Sequence, residues 1–451
     1  MFGGFLHRMK IKYGINCSDG EKCDAYAIKA NFDAILENKD RHTWLEMMNL
    51  LVGVSAPDED TFVIEMSEPY YPMLTELACI RPFAMISPNC MIDGSTMNGV
   101  NGYIGTGPYV LTDFVTDEYA VFERNENYWG EAPAIQKITV KVIPDNQTRI
   151  MALENEEIDL IFGKNMLDAD AISQYVDSDR FTVSLSDPTS TRHIVLNGQN
   201  PVLADIHVRK ALQHATNRVA IAKGVFHNTE LPADTLYARS VPYCDIDLKP
   251  YEYDMAKAAR ILDEAGWKKN KDGLLERDGK PFLFTILVNQ GNDSRIKAAI
   301  IIQSQLKALG IAVHIRTVEW AAFIKEFVNK GHFDAIILAW TITLDPDIYD
   351  VWHSSRAKPG GLNFTGYRNA EVDELLVEAR SMTDQDRRKE LYDRVQEILD
   401  AEQPYCFLYV PYALPIVQAR FQGIKPALNG IMYNFDRWWV PKDLQRYHVR
   451  P

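Results

Sequence analysis

The sequence predicts an α/β fold, and three observations carry that prediction. Apolar runs of strand length alternate with amphipathic helical stretches, one contiguous segment reads as strand, helix and strand, and no low-complexity tract, internal repeat or long Pro/Gly linker interrupts the alternation. A length of 451 residues, 46% hydrophobic and 24% charged, allows a sizeable core and roughly three structural units of about 150 residues each.

The elements follow in chain order. Asp254 is placed as an N-cap, its carboxylate able to accept from the free amides of a first turn, and Ala258, Ile261, Leu262 and Ala265 then recur at helical spacing up to Gly266, which suits the left-handed position after a helix. Pro281-Phe-Leu-Phe-Thr-Ile-Leu-Val is an extended apolar run. From about Ser294 a helix carries Ile296, Ala299, Ile300, Leu306 and Leu309 on its apolar positions and stops at Gly310, after which Ile311-Ala-Val-His-Ile-Arg is again a strand. Strand, helix and strand in about 35 residues make a right-handed crossover between parallel strands. Val372, Leu375, Leu376 and Ala379 mark a further helix. Leu391, Val395, Ile398 and Leu399 mark the last one, entered through Thr383 with Asp386 three residues on and ended by Pro404.

Composition excludes several classes. A formal charge of −14 without any basic run leaves no footprint for nucleic acid, whose phosphates need clustered Lys and Arg. No window reaches the roughly 20 apolar residues of a membrane span, and the first ten residues lack a secretory apolar region and a small-residue cleavage site. Gly105-Thr-Gly-Pro-Tyr is not a phosphate loop, because it lacks the Gly-Lys-Ser/Thr ending and Pro108 removes an amide donor. There is no Gly-x-Ser-x-Gly elbow, and Glu156 and Glu157 fit a surface turn, so no hydrolase constellation emerges. The six cysteines (17, 23, 79, 90, 244 and 406) include no Cys-x-x-Cys pair. Buried free thiols are the ordinary reading, with a Cys17–Cys23 or Cys79–Cys90 bridge open in an oxidising compartment. The ten histidines are scattered and form no His-Glu-x-x-His.

Four motifs stand in one order between residues 105 and 163: Gly-Thr-Gly-Pro-Tyr, Glu-Arg-Asn-Glu-Asn-Tyr-Trp-Gly, Asp-Asn-Gln-Thr-Arg and Ala-Leu-Glu-Asn-Glu-Glu-Ile-Asp-Leu. With them the chain resembles, over nearly its whole length, the family 5 extracellular solute-binding proteins, the peptide, nickel and opine receptors of bacterial ABC importers. Arg41-His-Thr-Trp-Leu45, Tyr70-Tyr-Pro72, Glu76-Leu-Ala-Cys-Ile-Arg-Pro82, Pro232-Ala-Asp-Thr-Leu-Tyr and Val241-Pro-Tyr-Cys-Asp-Ile-Asp-Leu-Lys-Pro-Tyr resemble the nickel-binding branch more narrowly. The resemblance implies a two-lobed, type II periplasmic-binding-protein fold. Its first lobe would span 1–197 with 411–451 returning to it, its inserted second lobe 198–410, and its hinge strands His193–Asn197 and Leu408–Tyr412. It also implies that the N-terminal part of lobe 1, with any signal peptide or lipid-anchor cysteine, precedes Met1. The implied function is capture of a nickel chelate or metallophore complex in the interlobe cleft. Delivery would be to a membrane permease, by a monomer in the periplasm or on the cell surface, with no cofactor and no enzymatic step.

The resemblance also implies site residues. Trp44 and Arg81 correspond to cleft-lining residues of the nickel branch, Arg41 accompanies them, and Trp340 ends a strand that resembles the family's ligand-facing one. The chemistry suits the types. Arg presents a planar fork of donors to a carboxylate, and Trp offers rigid apolar surface whose face also holds a cation. Arg81 lies in an otherwise apolar segment, where a permanent charge needs either a ligand or an acidic partner. Beyond Trp340 the pattern departs from the nickel branch: Leu344 replaces an aromatic, Asp347 a histidine, and the metal-capturing loop histidine has no counterpart. The stretch Ser354–Tyr367 instead resembles peptide and opine receptors and offers Arg356 and Asn363, with His353 as the one weak metal candidate. The nickel reading therefore requires metal that arrives already chelated. The alternative is a di- or oligopeptide, with Asp345 or Asp347 taking its amino group.

Overall fold

The computed structural model describes residues 5–42, 44–162, 167, 169–184, 190–233, 235–237, 246–341, 345–411, 415–425 and 431–446. The chain divides into two compact units, one comprising Met1–Leu167, Tyr175–Ser186 and Leu414–Pro451, the other Asp168–Gln174 and Asp187–Ala413.

The first unit opens with strand β1 (Phe5–Lys10), helix α1 (Ala25–Glu37) and strands β2 (Leu51–Asp58) and β3 (Thr61–Met66), paired antiparallel in the order β1-β3-β2. Asp24 caps α1 by accepting from the amides of Tyr26 and Ala27. Phe32 of α1 then buries against Phe62 and Phe83, in a cluster with Met47, Met48, Ile64 and Tyr70. The four motifs between 105 and 163 serve this unit's local structure. Asn125 donates to the Gly107 carbonyl, the Trp129 indole donates to the Thr106 carbonyl, and Asp145 caps the helix Asn146–Glu154 through the Thr148 amide at 2.7 Å. The C-terminal tail returns here, since Ile416–Gln418 pairs with both Phe181–Val183 and Leu160–Ile161.

The second unit is built on six strands: β4 (Ser190–Leu196), β5 (Glu230–Pro232), β6 (Leu283–Asn289), β7 (Ala312–Val318), β8 (Ala335–Thr341) and β9 (Tyr405–Pro411), in the order β5-β9-β4-β8-β6-β7. Apolar clusters lie on both faces. Ile194 and Leu196 join one and Val195 the other, which is why such strands read as unbroken apolar runs rather than alternating ones. The predicted crossover is present: β6 and β7 are parallel, joined by α3 (Asp293–Leu309) with Gly310 in the left-handed region at φ 94°. Helix α2 (Met255–Glu264) is capped by Asp254 as expected, with Gly266 at φ 87°. Helices α4 (Ala370–Ser381) and α5 (Gln385–Glu402) also match. The α5 cap is Asp384 rather than Thr383: its carboxylate accepts from the Arg387 amide at 2.8 Å.

Of the segments assigned to hinge strands, His193–Leu196 lie in β4 and Leu408–Pro411 in β9, neighbours inside the second unit's sheet, where His193 and Leu408 are fully buried. The chain passes between the two units at 167/168, 174/175, 186/187 and 413/414. A run buried on both faces has no sequence signal that separates an internal strand from a connecting one. Tyr412, Leu344, Asp234 and Val241–Asp245, with Cys244 among them, lie outside the described residues.

Candidate functional site

In the first unit, three of the expected residues meet. Helix α1 ends at Glu37, and a single turn over Lys39–Arg41 then sets Arg41, His42 and Trp44 on the surface that follows it. The buried Glu76 carboxylate holds the first turn of the helix that follows, Glu46–Leu50. It accepts from the Met47 amide at 2.9 Å and from the Tyr70 hydroxyl at 2.7 Å. Arg81 arrives from the other side with an extended backbone, φ −116° and ψ 122°, inside the short Ile80–Phe83 segment. Asn31 fixes this segment to α1: its amide donates to the carbonyls of Ala27 and Ile86 at 2.9 Å, and its oxygen accepts from the Ile86 amide at 3.0 Å.

The result is a pocket of about 440 Å³ lined by Asn31, Asn38, Arg41, His42, Arg81 and Thr96 with apolar neighbours, and no carboxylate is among its lining residues. The Arg81 guanidinium stands 5.7 Å from the Trp44 ring centroid, and Trp44 is 44% exposed. Arg81 is itself exposed, because Phe83 turns inward and the arginine outward; the cost of burying its charge, expected from the apolar surroundings, does not arise. Among the described residues no acidic side chain pairs with Arg41 or Arg81. His42 was not singled out by its sequence. Burial, then the charges of Arg81 and Arg41, lower its pKa, and its Nδ1 is sealed from solvent without a hydrogen-bond partner. A neutral imidazole beside two guanidiniums makes a region of positive potential whose remaining polar groups are amides and a hydroxyl.

In the second unit, Trp340 ends β8 half-buried, stacked 5.4 Å from Phe364, and its indole nitrogen donates to the Tyr405 hydroxyl at 2.9 Å. Its donor is committed and its ring surface remains. The other candidates are tied into the fold. Asn363 is 4% exposed, its amide donates to the carbonyls of Trp352, His353 and Tyr367, and its oxygen accepts from Thr365 and the Tyr367 amide. It stitches its own loop. Arg356 pairs with Asp350 at 2.9 Å and lies over Tyr349, on which His353 stacks at 4.1 Å. His353 also bonds the Ser355 hydroxyl, and burial lowers its pKa. Asp345 is held by both terminal nitrogens of Arg388 at 2.9 and 3.0 Å, and Asp347 by Arg380 at 2.8 Å. Both carboxylates are thus spent on internal arginines. Among the described residues no three His, Cys, Asp or Glu side chains are arranged to hold a metal ion.

Comparison with known proteins bears on this arrangement. Residues 6–361 match the family model of bacterial extracellular solute-binding proteins, family 5 Middle. The chain is 34% identical over 439 residues to the nickel-binding periplasmic protein of Escherichia coli strain K12, covering 92% of this chain and 83% of that one. It is 30% identical over 458 residues to the oligopeptide-binding protein AppA of Bacillus subtilis, covering 98% and 82%. The structure of NikA from Brucella suis in complex with Fe(III)-EDTA superimposes with a TM-score of 0.89 at 35% identity, covering 97% of this chain and 89% of that one.

Proposed function

Because this chain belongs to the bacterial extracellular solute-binding proteins of family 5, we propose that it is the substrate-binding component of an ABC importer, capturing a metal chelate outside the cytoplasm and delivering it to the permease. The observation that carries the ligand class is the first unit's pocket, where Arg41 and Arg81 stand exposed, without acidic partners among the described residues, beside an open indole face. Such a pocket favours a compact ligand with two or more carboxylates, each taking a charge-assisted bond of roughly 1.5–3 kcal/mol from a guanidinium. A nickel or similar ion bound in an aminocarboxylate or metallophore meets that description, and the relatives named for nickel and solved with Fe(III)-EDTA support it. With the metal already chelated, the protein supplies charge and surface and needs no ligating side chain of its own. Trp44, whose ring stands beside Arg81, suits the apolar parts of such a ligand. The protein acts as a monomer and carries out no chemical step.

A peptide is the second reading, favoured by the 30% identity to AppA. It needs an acidic group for the peptide's amino end, and Asp345 and Asp347 are already paired inside the second unit. Titration calorimetry with a nickel–histidine complex, the chelator alone and a dipeptide mixture separates the readings: heat confined to the metal complex supports the first, and heat from the peptides alone overturns it.

A further inference from the structure

Three cysteines of the first unit come together away from the pocket residues. Ile15–Cys23 folds as a tight hairpin in which Asn16 faces Lys22, the Cys17 amide donates to the Glu21 carbonyl at 2.8 Å, and the Cys23 amide donates to the Ile15 carbonyl at 2.9 Å. In an antiparallel pair with that register, residues 17 and 23 point to the same face. On that face the two side chains lie close enough to interact, and Cys90 lies within electrostatic reach of Cys17. The hairpin is not free to drift. The Ser18 amide donates to the Gly105 carbonyl at 3.0 Å, and the Asp19 carboxylate accepts from the Ser87 hydroxyl at 2.7 Å and the Asn89 amide at 3.2 Å.

We propose that Cys17 and Cys23 are a thiol–disulfide site, oxidised to an intramolecular bridge by a small or protein-borne disulfide in the extracytoplasmic compartment. A shared face, neighbouring side chains and a hairpin pinned at its turn are the arrangement from which a bridge can close. The steps balance. The Cys23 thiolate attacks one sulfur of the external disulfide, forming a mixed disulfide and expelling one thiolate. The Cys17 thiolate then attacks the Cys23 sulfur and expels the second, so the pair loses two electrons and two protons while the external disulfide becomes two thiols. Cys23 enters first because it is half-buried, whereas Cys17 is 4% exposed. Burial raises both thiols, Cys17 to about 12, so few thiolates form at neutral pH and oxidation is slow unless the oxidant is strong. Once formed, the bridge closes the hairpin that anchors the 87–105 stretch.

The test uses the full chain, equilibrated with a glutathione redox couple, alkylated under denaturing conditions without reductant and digested with trypsin. Cleavage after Lys12, Lys22 and Lys29 puts the two cysteines on adjacent peptides, 13–22 and 23–29. The expected result is one species containing both peptides, separated by reductant, absent from Cys23→Ser and retained in Cys90→Ser. Recovery of the two peptides singly, each alkylated, overturns the proposal, as does linkage of either peptide to the one carrying Cys90.

Discussion

The sharpest structural prediction concerns Asp345, which the peptide reading would place against a ligand's amino group. Its carboxylate is 3% exposed and bound by both terminal nitrogens of Arg388, which is itself fully buried and also donates from Nε to the Ala379 carbonyl. Removing one partner of a buried pair strands the other charge, at a cost of about 3–5 kcal/mol. For a unit of this size each kcal/mol lowers the melting temperature by roughly 2–4 °C, so Asp345→Ala should melt roughly 6–20 °C below the wild type. Thermal unfolding followed by circular dichroism measures this, and calorimetry of the same variant at low temperature measures binding. The account expects lost stability with chelate affinity kept in the folded fraction. A variant that melts like the wild type but no longer binds dipeptides would refute it and return Asp345 to a ligand-binding role.

Other predictions follow from the same contacts. Glu230 has its Oε2 sealed from solvent without a partner, and burial raises its pKa from 4.5 to about 8 against the opposing charge of Arg192. Across that window the folded protein holds a proton that the unfolded chain has released, so stability falls as pH rises; Glu230→Gln should flatten the slope, as urea midpoints at the two ends of the window would show. His193 is the reverse case. Buried with both nitrogens unpartnered, it is lowered from 6.5 to about 3, so the unfolded chain takes up the proton first and stability falls as pH drops below 6.5; His193→Phe should remove that loss in the same assay. Asn363→Ala should cost about 1–3 kcal/mol in urea unfolding, by orphaning buried groups of its loop, while leaving chelate affinity unchanged.

Much of the fold was legible because its signals are local. Asp254 and Gly266 mark α2 by cap chemistry, and the β6–α3–β7 crossover is marked by two apolar runs and Gly310. The division between units carries no such local signal, since β4 and β9 are apolar on both faces and nothing in Ile-Val-Leu or Phe-Leu-Tyr-Val says which element a strand serves. Arg41, Trp44 and Arg81 were named by resemblance, and the structure brings them near one another in the first unit. Asn31 and Glu76, which hold the neighbouring segments, look like ordinary helix residues in the sequence, and only the 55-residue and 29-residue spans of their hydrogen bonds reveal the role. Asp345 shows the complementary case: a polar residue in a loop gives no sign of a buried partner as distant as Arg388.

The measurement closest to the central claim is titration calorimetry of the wild type and Arg81→Ala with nickel premixed with histidine, beside the metal-free chelator and a dipeptide mixture. Loss of one charge-assisted contact of about 1.5–3 kcal/mol corresponds to roughly a ten- to 150-fold weaker Kd. The expected result is heat from the metal complex alone and a weakening of that size in the variant. Equal affinity of wild type and Arg81→Ala for the complex, or binding of the dipeptides alone, would contradict it.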